Sequence, residues 1–176
     1  MMRPRVIPIV ITAAISAGVL FGGWAIYNQV ALAAPLEQVA KNVNGVIASD
    51  KPVIAGDKVT LSLELADDAS LRDVYEHIEA NGKKVFDERQ LILNIKQNTD
   101  KELDEIWFAA MFDIAEAMEN KTYSGIPAAM NKAAAANKDV EVTTEMDDVN
   151  VYVTLRNSDA VKYVVLPRMS VQLEAW

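Results

Sequence analysis

The chain has no cysteine and one histidine, His77, in 176 residues. Without cysteine there can be no disulfide, no thiol nucleophile and no lipid anchor on sulfur. His77 stands beside Glu76 and Ile78 on a helical pattern with no thiol to activate, so it reads as a surface or half-buried side chain and not as a base or ligand. Positive charge is also scarce. There are 17 basic residues against 25 acidic ones, a net charge of −8. Only Arg3 and Arg5 of the basic set precede position 37, and no acid does, so the part from Glu37 onward holds 15 basic and 25 acidic residues, a net −10. A domain so acidic repels phosphate backbones, which excludes nucleic acid as a partner.

Motifs are missing as well. The phosphate-cradling patterns G-x-x-x-x-G-K-[ST] and G-x-G-x-x-G, the nucleophile elbow G-x-S-x-G and the calcium loop D-x-[DN]-x-[DN]-G do not occur. Acids cluster at Asp67-Asp68 and at Asp139, Glu141, Glu145, Asp147 and Asp148. Such a set could in principle bind Ca²⁺ or run acid–base hydrolysis. Nothing in the spacing fixes a geometry, and strand alternation puts most of these side chains in water. Asn120-Lys121-Thr122 fits a glycosylation sequon, a triplet common by chance. No catalytic residue, metal or cofactor is therefore assigned.

What is present begins with a charge-free run, Val6 to Tyr27. As a helix it would extend about 33 Å, close to the hydrocarbon thickness of a bilayer. Arg3 and Arg5 precede the run, and no basic residue follows until Lys41. That asymmetry places the N-terminus in the cytoplasm and the rest outside; Trp24 and Tyr27 suit the far interface. The rival expectation is a secretory signal, cleaved after Ala33 in the Ala31-Leu32-Ala33 pattern. Ala14, Gly18 and Gly22 recur at four-residue spacing and make a small-residue stripe on which a second membrane helix could lie.

Beyond the run, Leu36, Val39 and Val43 fit one face of a short helix that Asn44-Gly45 would end, with a connector onward to Asp57. Lys58 to Leu65 alternates strictly and predicts a strand with Val59, Leu61, Leu63 and Leu65 inward. Ser70 and Asp73 resemble a capping box opening a helix with Leu71, Val74, Tyr75 and Ile78 inside, and Asn81-Gly82 reads as its stop. Leu91 to Ile95, apolar on nearly both faces, reads as a central strand. Thr99 with Glu102 opens the most strongly patterned helix of the chain, whose apolar stripe includes Leu103, Ile106, Trp107, Ala110, Met111, Ile114, Ala117 and Met118. Trp107 is expected in the core. Tyr123-Ser124-Gly125 breaks that helix, and Pro127 starts another running to Asn137. Val140 to Met146, Val149 to Leu155 and Val161 to Leu166 read as strands joined by turns at Asp147-Asp148 and Asn157-Ser158-Asp159.

The order β-α-β-α-α-β-β-β predicts an α+β fold with its helices on one face of a mixed sheet. The expected organisation is a cytoplasmic N-terminus at 1–5, a transmembrane anchor at 6–27, a juxtamembrane helix and connector at 28–57, and an extracytoplasmic α+β domain at 58–176. The function expected from an anchored, well-patterned domain without a reactive constellation is non-enzymatic. It is an interaction or assembly module held by a single span in a prokaryotic cytoplasmic membrane, with the bilayer, other envelope proteins or a second copy as partners. A secreted binding or inhibitory protein is the alternative, and a carboxylate-dependent envelope hydrolase a lesser one.

Overall fold

The computed structural model describes residues 6–86 and 89–168. The segment expected to be a cytoplasmic N-terminus, 1–5, lies outside them. Helix α1, Val6–Tyr27, forms over the charge-free run. Among the described residues no helix is long and apolar enough to cross a membrane, so the structure supports the helix and not the span read from its sequence.

The stretch read as a connector carries structure. A π-helical segment, Asn28–Ala33, runs directly into helix α2, Ala34–Lys41. Strands β1, Val46–Ser49, and β2, Val53–Ala55, follow; they were missed because they are short, and one is bulged. Both pair antiparallel with β3, Lys58–Leu65, end to end along one edge. Helix α3, Leu71–Phe86, crosses over to β4, Gln90–Ile95, which pairs parallel with the other edge of β3. The central strand is therefore β3. In β4 the side chains alternate between exposed and half-buried, so the doubly apolar LILNI run does not mark the middle of the sheet.

Gly82 corrects a second expectation. It does not stop α3, which continues to Phe86, and the glycine is buried. A Cβ there would come within 3.2 Å of the Leu36 side chain, so the missing side chain lets α2 pack closely on α3. Gly45 behaves as a turn residue: its φ is +87°, and a Cβ would sit 2.6 Å from that of Ala69.

The second half contains helix α4, Lys101–Glu119, helix α5, Gly125–Ala134, and the antiparallel meander β5, Glu141–Met146, β6, Asn150–Arg156, and β7, Val161–Pro167. The class is α+β, but the strands divide into two sheets and not one mixed sheet. Asn98, just after β4, bridges to Val161 at the start of β7.

The division follows from β6, which is apolar along one face and buries Tyr152 on the other. Val151, Val153 and Leu155 pack with α4 and α5 around Leu103, Ile106, Ile114, Ile126 and Met130. Tyr152 points the other way and joins a cluster of Leu61, Leu63, Leu71, Val74 and Ile78. The layers thus run α4 and α5, the second sheet, α3 with α2 alongside, then the first sheet. Helices cover both faces of the second sheet, not one. Trp107 is half-buried against the α4–α5 core, and Met111 is exposed.

Tyr152 is the largest fully buried side chain. Its ring tilts against that of Tyr75 at 5.2 Å. Its hydroxyl donates to Asp147 Oδ2 at 2.6 Å, while Asp147 Oδ1 accepts the N–H groups of Val149 and Asn150 and so shapes the β5–β6 turn. Burial works to raise the Asp147 pKa. The Tyr152 hydroxyl, the two backbone N–H groups and the Arg168 charge outweigh it and hold the carboxyl below its ordinary 3.8. Burial, reinforced by Asp147, pushes Tyr152 well above 10, and burial pushes Tyr75 up to about 12.

Two outcomes are expected from denaturant midpoints of the full chain in mild detergent. Tyr152→Phe keeps the ring but takes the donor from a charged acceptor and should lose about 1.5–3 kcal/mol. Asp147 has a depressed folded pKa, so its contribution is present above 3.8 and fades as pH falls through the lower folded value. On the acid side wild type and variant should therefore converge below that point. The tyrosines act with the opposite sign. Their contribution is complete below pH 10 and is lost as pH rises through about 12, where Tyr75 ionises.

Candidate functional site

Two surfaces could carry function. The first is an open cleft of about 220 Å³ where the N-terminal end of α3 meets the second sheet. Asp67, Asp68, Ser70, Glu141, Thr143, Glu145, Thr154 and Arg156 line it. Strand alternation puts Glu141, Thr143 and Glu145 of β5 on the face away from α4, and the loop before α3 brings in the aspartates.

The cleft's chemistry is already engaged in holding the two halves together. Ser70 Oγ accepts the N–H of Asp73 at 3.0 Å, as a helix cap should. It also donates to Glu145 Oε1 at 2.7 Å, and the Arg72 N–H points at Oε2 at 3.5 Å. Glu145 thus places its charge at the positive end of α3 from a strand 75 positions away in sequence. Arg156 pairs with Asp67 at 2.5 Å and donates to the Tyr163 hydroxyl at 3.3 Å. Ser70 has a carboxylate as neighbour and no imidazole or lysine base, so it is a capping group and not an activated nucleophile. Among the described residues no group of His, Asp and Glu side chains could hold a metal ion. The one histidine is exposed on α3, away from these cleft residues.

The second surface is the outer face of α4. Its helix is capped by Asp100, whose Oδ1 accepts the Leu103 N–H at 2.8 Å. The cap falls one residue after the Thr99 expected from sequence; Thr99 donates to Asp104 instead. That carboxylate also takes Lys162 Nζ at 2.8 Å, and these contacts, the lysine first, hold Asp104 below the usual carboxylate range. The apolar stripe buries Leu103, Ile106, Ala110, Ile114 and Ala117 as predicted. The sequence reading missed the two phenylalanines. Phe108 is 60 % exposed and Phe112 is 79 % exposed, one turn apart on the opposite face. Their signal was readable, because both fall outside the stripe while being as apolar as its members.

The residues picked from sequence for helix association, Ala14, Gly18 and Gly22, are all exposed on α1. A Cβ at Gly18 or Gly22 would meet nothing within 4 Å.

The cleft generates one expected outcome. Glu145→Ala should cost about 1 kcal/mol, as the loss of a capping interaction does. It should also raise amide exchange selectively at residues 71–73; uniform exchange changes across the chain would mean that Glu145 is not the link.

Comparison with protein-family models, curated proteins and solved structures finds no match to this chain.

Proposed function

We propose that the chain is a membrane-tethered, non-enzymatic interaction or assembly module on the outer side of a prokaryotic cytoplasmic membrane, with α1 as the tether. The observation that carries this reading is the uncovered surface of α1. Its described large apolar side chains, from Val10 to Tyr27, are each at least 53 % exposed. The helix packs chiefly against the π-helical segment that continues it. A large apolar side chain left in water forgoes about 1.5–3 kcal/mol. Nine of them would rival the whole stability of a typical domain, about 5–15 kcal/mol. Such a helix needs an apolar surrounding, and a bilayer supplies it.

Cleavage after Ala33 is the weaker reading. Leu32 and Ala33 are 7 % and 2 % exposed, and Leu36, three residues on, is fully buried. Processing there would remove part of the folded core. The non-enzymatic reading is supported by side-chain chemistry: in the cleft Ser70 is bonded to Glu145 and Arg156 to Asp67, with no imidazole or lysine beside the hydroxyl.

The test is fractionation of cells making the full chain. The protein should stay with carbonate-washed membranes. Val19→Arg together with Leu20→Arg should move it at least about tenfold toward the soluble fraction, since each charge at mid-helix costs about 2.5–3.5 kcal/mol in lipid. A mature N-terminus at Ala34 would overturn the tether. Complementation of a deletion strain checks the other half: His77→Ala and Asp148→Ala should support wild-type growth, and abolition by either at normal protein level would point to an enzyme.

A further inference from the structure

We propose that α4 is a self-association face, on which a second copy of this chain packs antiparallel across a two-fold axis that crosses its outer face level with position 110. This deepens the assembly reading by naming the partner, and it rests on α4 itself and not on the tether. Lys101, Phe108, Phe112 and Glu119 are all exposed on α4. At 100° per residue they fall within about 40° of one another around the helix. They are also spaced symmetrically. Phe108 and Phe112 flank position 110 by equal steps, and so do Lys101 and Glu119, with opposite charges. Turning one α4 end for end over another sets Phe108 against Phe112 of the second copy, twice. The same operation sets Lys101 against Glu119, twice. That is the self-complementarity an isologous interface requires.

Two other acids of α4 are engaged within the chain. Asp104 is held by Lys162 at 2.8 Å and Asp113 by Lys132 at 3.2 Å, both within the chain. Lys101 reaches Glu105 one turn on, at 3.2 Å, with 90 % of its side chain exposed and its other donors open to a second acceptor. Two phenylalanines per copy are anchors of the type that carry most binding energy. One helix face is smaller than the roughly 800 Å² per partner of a standard interface, so the pair should be weak in free solution. Confinement of both copies to one membrane would raise its occupancy. The acidic cast of the domain also disfavours anionic lipid as the occupant of the same face.

The chain lacks cysteine, so introduced cysteines report on this contact alone. Two differently tagged full-length copies, one Glu105→Cys and one Ala115→Cys, are co-expressed and treated with a short bismaleimide. The antiparallel register brings these positions level. Either variant with itself is offset by about 15 Å along the axis. The mixed pair should cross-link and the like pairs should not. Phe112→Ser should reduce the yield about tenfold or more, in line with loss of a buried aromatic anchor. Lys101→Glu should reduce it several-fold, and adding Glu119→Lys should restore it. Thermal unfolding of each variant controls for folding, which an exposed-site change should leave intact. Absence of the mixed cross-link, cross-linking of like pairs, or indifference to Phe112→Ser would overturn the inference. Loss of the cross-link on Gly18→Leu with no effect of Phe112→Ser would assign association to α1 instead. Fractionation of the same cells separates the two proposals. A released protein that still cross-links removes the tether alone, and a bound protein that does not removes this inference alone.

Discussion

Everything in the domain is arranged around β6, a strand buried along one side and, at Tyr152, on the other side as well. A strand with one wet face can sit at a surface; one with Val151, Val153 and Leu155 on one side and Tyr152 on the other cannot. It needs α4 and α5 on the first side and α3 on the second, and α3 in turn brings the first sheet. Tyr152 makes this requirement strict. Its ring demands an apolar bed, and its hydroxyl demands an acceptor within that bed. Asp147 meets the second demand from the β5–β6 turn, so the turn, the strand and the packing of the two halves are set by one side chain.

The two halves are joined by a few polar contacts as well as by that core. Glu145 reaches the first turn of α3, Arg156 reaches Asp67, and the Tyr163 N–H donates to Gln97 in the loop between β4 and α4. Each links an element of the meander to the end of a helix or to the loop before it. Exposed ion pairs contribute little by themselves, about 0–1 kcal/mol. These gain from ending on backbone N–H groups or partly buried partners. Their role is to fix angle and register between layers that apolar contact alone would leave free to slide.

The local features were legible in the sequence. Strict alternation located β3, and three- and four-residue spacing located α3 and α4. Asn157-Ser158-Asp159 announced a turn in which the Asn157 side chain accepts the N–H groups of Asp159 and Ala160. What escaped was non-local. Asn81-Gly82 reads as a stop until Leu36 is known to lie against it. LILNI reads as a central strand until β1 and β2, too short to signal, take the other edge of β3. The single mixed sheet became two because the strands of the second half pair only among themselves, and pattern does not reveal pairing. Ser70 and Glu145 could not be linked across 75 positions by any local rule. Phe108 and Phe112 escape for a different reason: periodicity weighs the residues that form a stripe, and not the apolar ones that break it.

The helical path from α1 through the π-helical segment into α2 contains no loop, and Leu36 near its far end is clamped at Gly82. A loop would have made the N-terminal helix a string. As built it is a lever. Tilting or rotating α1 turns the seating of α2 on α3, and from there acts on the layer that holds Tyr152. The domain therefore stands at a set distance and heading from α1.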